Sequence, residues 1–272
     1  MIGLRTGLAT GLRTGLAIGI SADEIRTSQA ASAWSVDATS GIAAPSSATE
    51  WAAFLSAKSL SAASPSSLWL CQEDGSVGHT DLADSIGAFP LIAQTAPLYG
   101  QAVPGWSRKG VGFDQTSNQR FISTDAALPD ISTTSATLLA FVAADTTPAA
   151  ARGIVSFGTT TARFQVTTTP ALQFVAGTTA NEGANCPTAV QPLVIKVDKT
   201  AGVTAGYTIQ SNLANTVGAI TGKAVRFGAL TSGSSFVGKI VYAAMWSGAS
   251  AEISDANMKA LLVAMGWTIP WS

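Results

Sequence analysis

The side chains that could carry chemistry are few, and their spacing argues against most of it. The 272-residue chain has one histidine, His79, in the glycine-punctuated run Gly75-Ser76-Val77-Gly78-His79-Thr80-Asp81. A single imidazole builds neither a His-rich metal site nor a mechanism needing two. A Ser/His/Asp triad would need a serine held opposite it, and no G-x-S-x-G elbow supplies one. His79 therefore reads as a surface residue. The glutamates are Glu24, Glu50, Glu73, Glu182 and Glu252. Glycoside hydrolysis needs two carboxyls about 5–10 Å apart, and no segment pairs acids at strand spacing. Glu73, Asp74, Asp81 and Asp84 cluster in a predicted loop, where turn chemistry and solvation are their ordinary roles. If a cation sits there it is calcium, with Asp81 and Asp84 as candidate ligands. No G-x-x-x-x-G-K-[ST] loop is present to cradle phosphates. The expectation is a protein that is not an enzyme and needs no cofactor beyond that candidate calcium.

The two cysteines, Cys71 and Cys186, are far apart. They form no zinc spacing and no disulfide framework. Cys71 closes the apolar run Leu68-Trp69-Leu70 and reads as a small buried hydrophobe. Sugar recognition calls for exposed aromatics beside amides or carboxylates. Tyr99 and Trp106, with Asn118 and Asn181, are the candidate glycan contacts. Trp246 lies on an apolar strand and reads as core.

Composition sets the background. Lys and Arg total 15 against 16 Asp and Glu, a formal net charge of −1, and 11% of residues are charged. Such a chain has no electrostatic reason to bind nucleic acid or an anionic membrane. Hydrophobic residues reach 47%, enough for a core, but aromatics only 7%. Small residues (Ala, Ser, Thr, Gly) supply roughly half the chain, well above ordinary usage.

The first twenty residues repeat the octad G-L-R-T-G-L-A-x twice. Five glycines would each cost a helix about 0.8–1 kcal/mol relative to alanine. Arg5 and Arg13 interrupt any span of about 18 apolar residues. Parity is more informative. Even positions, including Ile2, Leu4, Leu8, Leu12 and Leu16, are apolar or β-branched, while the odd positions from 3 to 19 are Gly, Ala or Arg. Alternation is the period of an extended strand. Residues 1–20 are therefore expected to form an extended assembly arm, about 60–65 Å long at roughly 3.3 Å per residue. Its backbone partners would belong to other copies of the chain or other subunits.

Residues 21–66 read as a helical linker region. Ser21-Ala22-Asp23-Glu24 and Ser47-Ala48-Thr49-Glu50 fit the capping box, and the second leads into the stripe Trp51, Phe54 and Leu55. A small-residue linker lies around 39–47. From residue 67 onward, short β-like runs are separated by Gly, Pro, Asn and Asp: 67–71, 110–113, 136–144, 153–157, 162–168, 171–175, 193–198, 206–210, 223–229 and 236–247. This spacing predicts an all-β sandwich or barrel. A last helix is expected from Ser254, lined by Met258, Leu261, Leu262 and Met265, and stopped by Gly266.

Three stretches carry a family resemblance: Val225-Arg226-Phe227-Gly228-Ala229, then Phe236-Val237-Gly238-Lys239-Ile240 and its continuation to Trp246, then Ser254–Trp267. Together they resemble the end of concanavalin A-like (laminin-G-like) lectin/glucanase domains. Leu68-Trp69 and Gly110–Asp114 are similar to strands near the opening of that fold. The resemblance covers roughly residues 67–267. It implies an antiparallel jelly-roll sandwich, with the short helices, the C-terminal helix and the arm as additions. The glucanase carboxylate trio of that family has no match here, and no calcium-lectin Asp/Asn pair aligns.

The expected function is a structural protein of a large assembly: a phage fibre, spike or decoration subunit, made in the cytoplasm without a signal peptide. The arm anchors it, and the lectin-like domain at 67–272 faces outward. The alternative is a carbohydrate-binding adhesin module of a bacterial surface or appendage, with a cell-surface glycan as partner. Neither reading involves nucleic acid or a membrane.

Overall fold

The computed structural model describes residues 33–71, 81–87, 89–95, 97–114, 119–123, 128, 130–131, 133–145, 151–158, 162–168, 171–177, 179–186, 188–199, 203–209, 212–215, 224–228, 236–247 and 253–270. The arm, the first expected helix, His79, Glu73, Asp74 and Asn118 lie outside these residues.

The described strands form two antiparallel sheets. The first runs β14 (Asn212–Asn215), β13 (Val203–Tyr207), β12 (Gln191–Asp198), β7 (Ala136–Ala144), β16 (Gly238–Ser247), β5 (Lys109–Phe113) and β4 (Leu98–Ala102), with β1 (Ser67–Leu70) also paired to β16. The second runs β11 (Thr179–Asn185), β10 (Ala171–Ala176), β9 (Ala162–Val166), β8 (Arg152–Phe157), β15 (Val225–Phe227), β6 (Arg120–Ser123), β3 (Leu91–Thr95) and β2 (Asp81–Leu82). The all-β antiparallel sandwich expected from the sequence is what forms; each of the ten expected strands overlaps an observed one, that at 206–210 only through Gly206 and Tyr207 at the end of β13.

Strand β7 shows why the sequence builds three layers. All nine of its residues are buried. Alternate residues Ala136, Leu138, Ala140, Val142 and Ala144 face the second sheet, where Phe121, Phe157, Phe164, Phe174 and Phe227 fill the space. Leu139, Phe141 and Ala143 point the other way, into a second cluster with Trp51, Phe54, Leu261 and Leu262. A strand buried on both faces reads as a near-continuous apolar run, as this one does with Thr137 its single polar residue.

Its neighbour β16 serves both clusters through a bulge. Ile240 pairs with Val142, but Tyr242 pairs with Phe141, so Val241 is extra. Val241 and Tyr242 both join the outer cluster, whereas Ile240, Ala243 and Met245 join the inner one. A bulge shifts side-chain phase in this way.

The layer over the first sheet is helical. Helix α1 (Ala48–Ala57) is capped by Ser47, whose Oγ accepts from the Glu50 N–H at 3.2 Å. Glu50 differs from the expected capping box. Its carboxylate reaches past the cap to accept from the Ser46 and Ser35 N–H groups, each at 2.8 Å, and from both hydroxyls. Helix α2 (Asp255–Met265) matches the expectation: Ser254 caps it, Met258, Leu261, Leu262 and Met265 are buried, and Gly266 at φ +111° ends it. Lys196 and Tyr207 both donate to the Asp255 carboxylate, at 2.8 and 3.0 Å, fixing the start of α2 to β12 and β13. Burial and the nearby Asp255 charge push the Tyr207 hydroxyl pKa upward. Trp246 is buried, and its Nε1 donates to the Ala63 carbonyl at 2.8 Å.

The stretch expected to be a small-residue linker is packed instead. Asp37 is wholly buried and accepts from the N–H and Oγ of both Ser40 and Ser107 and from the Thr39 N–H. The Ala43 N–H donates to the Met265 carbonyl at 2.7 Å. Small side chains at Ala43 and Ala44 let the backbone close onto the helix end.

Candidate ligand-binding face

The two outer faces of the sandwich differ. Both described helices lie over the first sheet. On the second sheet, the four adjacent strands β9, β8, β15 and β6 carry Arg163, Arg152, Arg226 and Arg120 and no acid. Acidic residues in that sheet occur only at its edges, Asp81 on β2 and Glu182 on β11.

Strand register resolves which of these share a face. Alternation buries Phe121, Phe227, Phe164 and Phe174 inside the sandwich, so their neighbours Arg120, Arg226, Arg163 and Gln173 point outward. Cross-strand pairs then line up Ile92 with Ile122, Ile122 with Arg226, Arg226 with Ser156, Ser156 with Arg163, and Arg163 with Val175. Directly paired residues point to the same side. Arg120 lies two residues from Ile122 on the same face. Arg152 pairs with the buried Val166 and so has the opposite parity.

A second polar row lies beside the first. Arg163 Nε donates to Gln165 Oε1 at 3.0 Å, and Gln165 Nε2 donates to Gln173 Oε1. The arginine and glutamine side chains are half-buried, while Ile92 is 40% exposed. Between Arg226 and Arg163 sits Ser156, fully buried, with no hydrogen-bond partner for its hydroxyl. The Nε of Arg120 is likewise buried without a partner. Burial first, then the like charge of Arg120, lowers the Arg226 pKa; burial lowers that of Arg163.

The residues singled out from the sequence lie elsewhere. Trp106 is 6% exposed and belongs to the cluster under the helices. A ring so enclosed has no face to stack on a sugar, so its place as a glycan contact is corrected to core. Tyr99, on edge strand β4, is half-buried and packs edge-on against Phe121 at 6.1 Å between centroids. Asn181 lies on β11 at the far edge of the second sheet, opposite Phe174. Asp84 is a turn anchor. Its Oδ1 accepts from the N–H groups of Leu68, Ile86 and Gly87 at 2.9–3.1 Å, and its Oδ2 from that of Phe89 at 3.3 Å. Asp81 accepts from the Ala93 N–H at 3.2 Å. Among the described residues no three His, Cys, Asp or Glu side chains gather as a metal site. No described helix is long and apolar enough to cross a membrane.

Sequence reasoning missed the arginine face. Its local signal was present, since Arg163-Phe164-Gln165-Val166 and Val225-Arg226-Phe227 alternate polar and apolar. What no local pattern gives is the order of strands that brings them together.

No family model matches the chain, and no curated protein is similar to it. Solved structures do match. Trypanosoma rangeli sialidase in complex with the inhibitor DANA aligns with a TM-score of 0.56 at 11% identity, covering 72% of this chain and 32% of that one. The same sialidase in complex with sialic acid aligns at 0.53 and 10% identity, covering 75% and 33%. The binding domain of botulinum neurotoxin DC in complex with SialylT aligns at 0.51 and 12% identity, covering 75% and 52%. The chain thus spans about a third of the sialidases and half of the neurotoxin chain.

One expectation is corrected by these matches. The sequence was read as that of a protein that is not an enzyme, yet several of the structures sharing its sandwich are sialidases, which are enzymes. Missing acid pairs in the primary structure do not license the exclusion. The level of identity carries the fold alone: the chain shares a β-sandwich with parts of sialidases and of a neurotoxin binding domain.

Proposed function

We propose that the chain is a carbohydrate-recognising sandwich module of concanavalin A-like type, binding sugar on the outer face of its second sheet. The observation that carries this reading is the asymmetry of the two faces. Helices cover one, while the other presents Arg120, Arg226, Arg163, Gln165 and Gln173 in adjoining rows. Amides and guanidinium groups on a rigid sheet suit the many hydroxyls of a saccharide. Support also comes from the fold neighbours in complex with sialic acid and SialylT. The test is binding of the full chain to a broad glycan array, repeated with Gln173→Ala and Arg163→Ala. Glycan binding lost in these variants supports the reading; absence of binding to any glycan overturns it.

A second reading concerns where the module is carried. The doubled octad of residues 1–20, with its strand-like alternation, favours an arm that joins the module to other copies or subunits of an assembly such as a phage fibre, spike or decoration. Deleting residues 1–20 is expected to leave a folded sandwich that no longer assembles. Unchanged assembly of the truncated chain removes this reading.

A further inference from the structure

We infer that the saccharide taken by this face is an acidic one, held through a carboxylate or sulfate group by Arg226 and Arg163 with Arg120 beside them; the inference rests on the carbohydrate-binding reading above. Three arginines share one face of one sheet in a chain whose formal net charge is −1. The three strands that carry them, and β8 between two of these, hold no acidic side chain. Arg226 pairs across the strands with Ile122, and Arg120 lies two residues along β6 on the same face, so the two side chains rise from adjacent strands. Guanidinium groups present paired N–H donors that match a carboxylate or sulfate bidentately.

The groups between the arginines point the same way. The Ser156 hydroxyl is buried in register with both Arg226 and Arg163 and has no partner. A buried polar group left so is uncommon, and an acceptor oxygen placed between the two arginines would complete it. The buried Arg120 Nε is a second donor without an acceptor. Arg226 and Arg163 are two strands apart, about 10 Å at 4.7–4.9 Å per strand, so an acidic sugar ring fits across them. Gln165 and Gln173 then lie where a neighbouring neutral ring would need amides. Because arginine stays protonated at all ordinary pH, this recognition should depend on salt rather than on protein titration.

The experiment compares the full chain against oligosaccharides matched in backbone but neutral, carboxylated or sulfated, at low and high salt. Expected is a preference of about tenfold or more for an acidic form over its neutral match, weakened by salt. The carboxylated and sulfated arms tell the two anions apart. Arg226→Gln and Arg163→Gln should each remove that preference, and Arg163→Lys should restore only part of it. If a glutamine variant does not fold, as judged by circular dichroism, the lysine variant at that position serves instead. Binding of neutral sugars with no acidic preference overturns this inference and leaves the carbohydrate-binding reading intact. Acidic preference that survives both arginine substitutions overturns the assignment to this face. Absence of binding to any glycan overturns both.

Discussion

Phe174 of the second sheet packs its ring directly against the Cα of Gly206 in the first. A Cβ at Gly206 would fall well inside van der Waals contact distance of the ring carbons. The missing side chain on β13 is the slot that the aromatic on β10 fills. Gly206→Ala should therefore destabilise by about 1–3 kcal/mol through overpacking, and Phe174→Ala by about 3–5 kcal/mol through the cavity left. Combining Gly206→Ala with Phe174→Ala should recover part of the loss. Urea unfolding of the four proteins gives the coupling, expected to exceed about 0.5 kcal/mol; additive effects would mean that the two sites do not meet.

Acid should loosen the layer over the first sheet through Glu50. Burial pushes its carboxyl pKa up, but hydrogen bonds from the backbone and hydroxyls of Ser46 and Ser35 outweigh it and bring the value down from 4.5 to about 2. A carboxyl lowered on folding stabilises the native state above its unfolded pKa and loses that contribution as pH falls through the folded one. The window is therefore pH 4.5 down to about 2. Melting temperatures of Glu50→Gln should be lower than wild type at pH 7, and the gap should close across this window. A constant gap would show that the carboxylate charge plays no part.

Two helix ends adopt left-handed backbone with different residues, and opposite outcomes follow. Gly266, at φ +111°, ends α2 and leaves only 3.2 Å between an added Cβ and Ile42 Cδ1. Gly266→Ala should cost about 1–2 kcal/mol. Ser59, at φ +57°, follows α1 and is a non-glycine residue in that region. Ser59→Gly should stabilise by up to about 1 kcal/mol, since glycine adopts this conformation without steric penalty. Thermal melts of the two variants check the pair of signs.

The Asp84 carboxylate already accepts four backbone N–H groups, which tie the loop at 84–89 to β1. Asp84→Ala should cost about 1–3 kcal/mol, chiefly by leaving the part-buried N–H groups of Leu68 and Phe89 unmatched. Millimolar calcium or a chelator should leave the melting temperature within error. A calcium-dependent rise of several degrees would instead place an ion on this loop.

Much of the fold is legible because apolar periodicity and capping chemistry are local. β7 reads as an apolar run broken only by Thr137, and α2 announces itself from Ser254 to Gly266. The six unforeseen strands have a common cause. β2, β4, β11 and β14 are sheet edges, β3 lies next to β2, and β6 lies next to β3. An edge strand such as Thr179–Asn185 is free to carry the Asn, Gly and Glu that read as loop. The buried Asp37 was hidden because its partner Ser107 is far along the chain. Arg120 and Arg226 meet for the same long-range reason: β6 and β15 are neighbours only in the assembled sheet.

Among the described residues helices lie over a single sheet, so the sandwich has an apolar, packed back and a more polar front. Exchanges on the back disturb a packed interior and are punished by unfolding. If the front binds sugar as proposed, exchanges at the outward positions of β6, β15 and β9 would alter chiefly what it can grip. Such a scaffold can change its quarry without relearning how to fold, and variation among its kin should gather on those outward positions first.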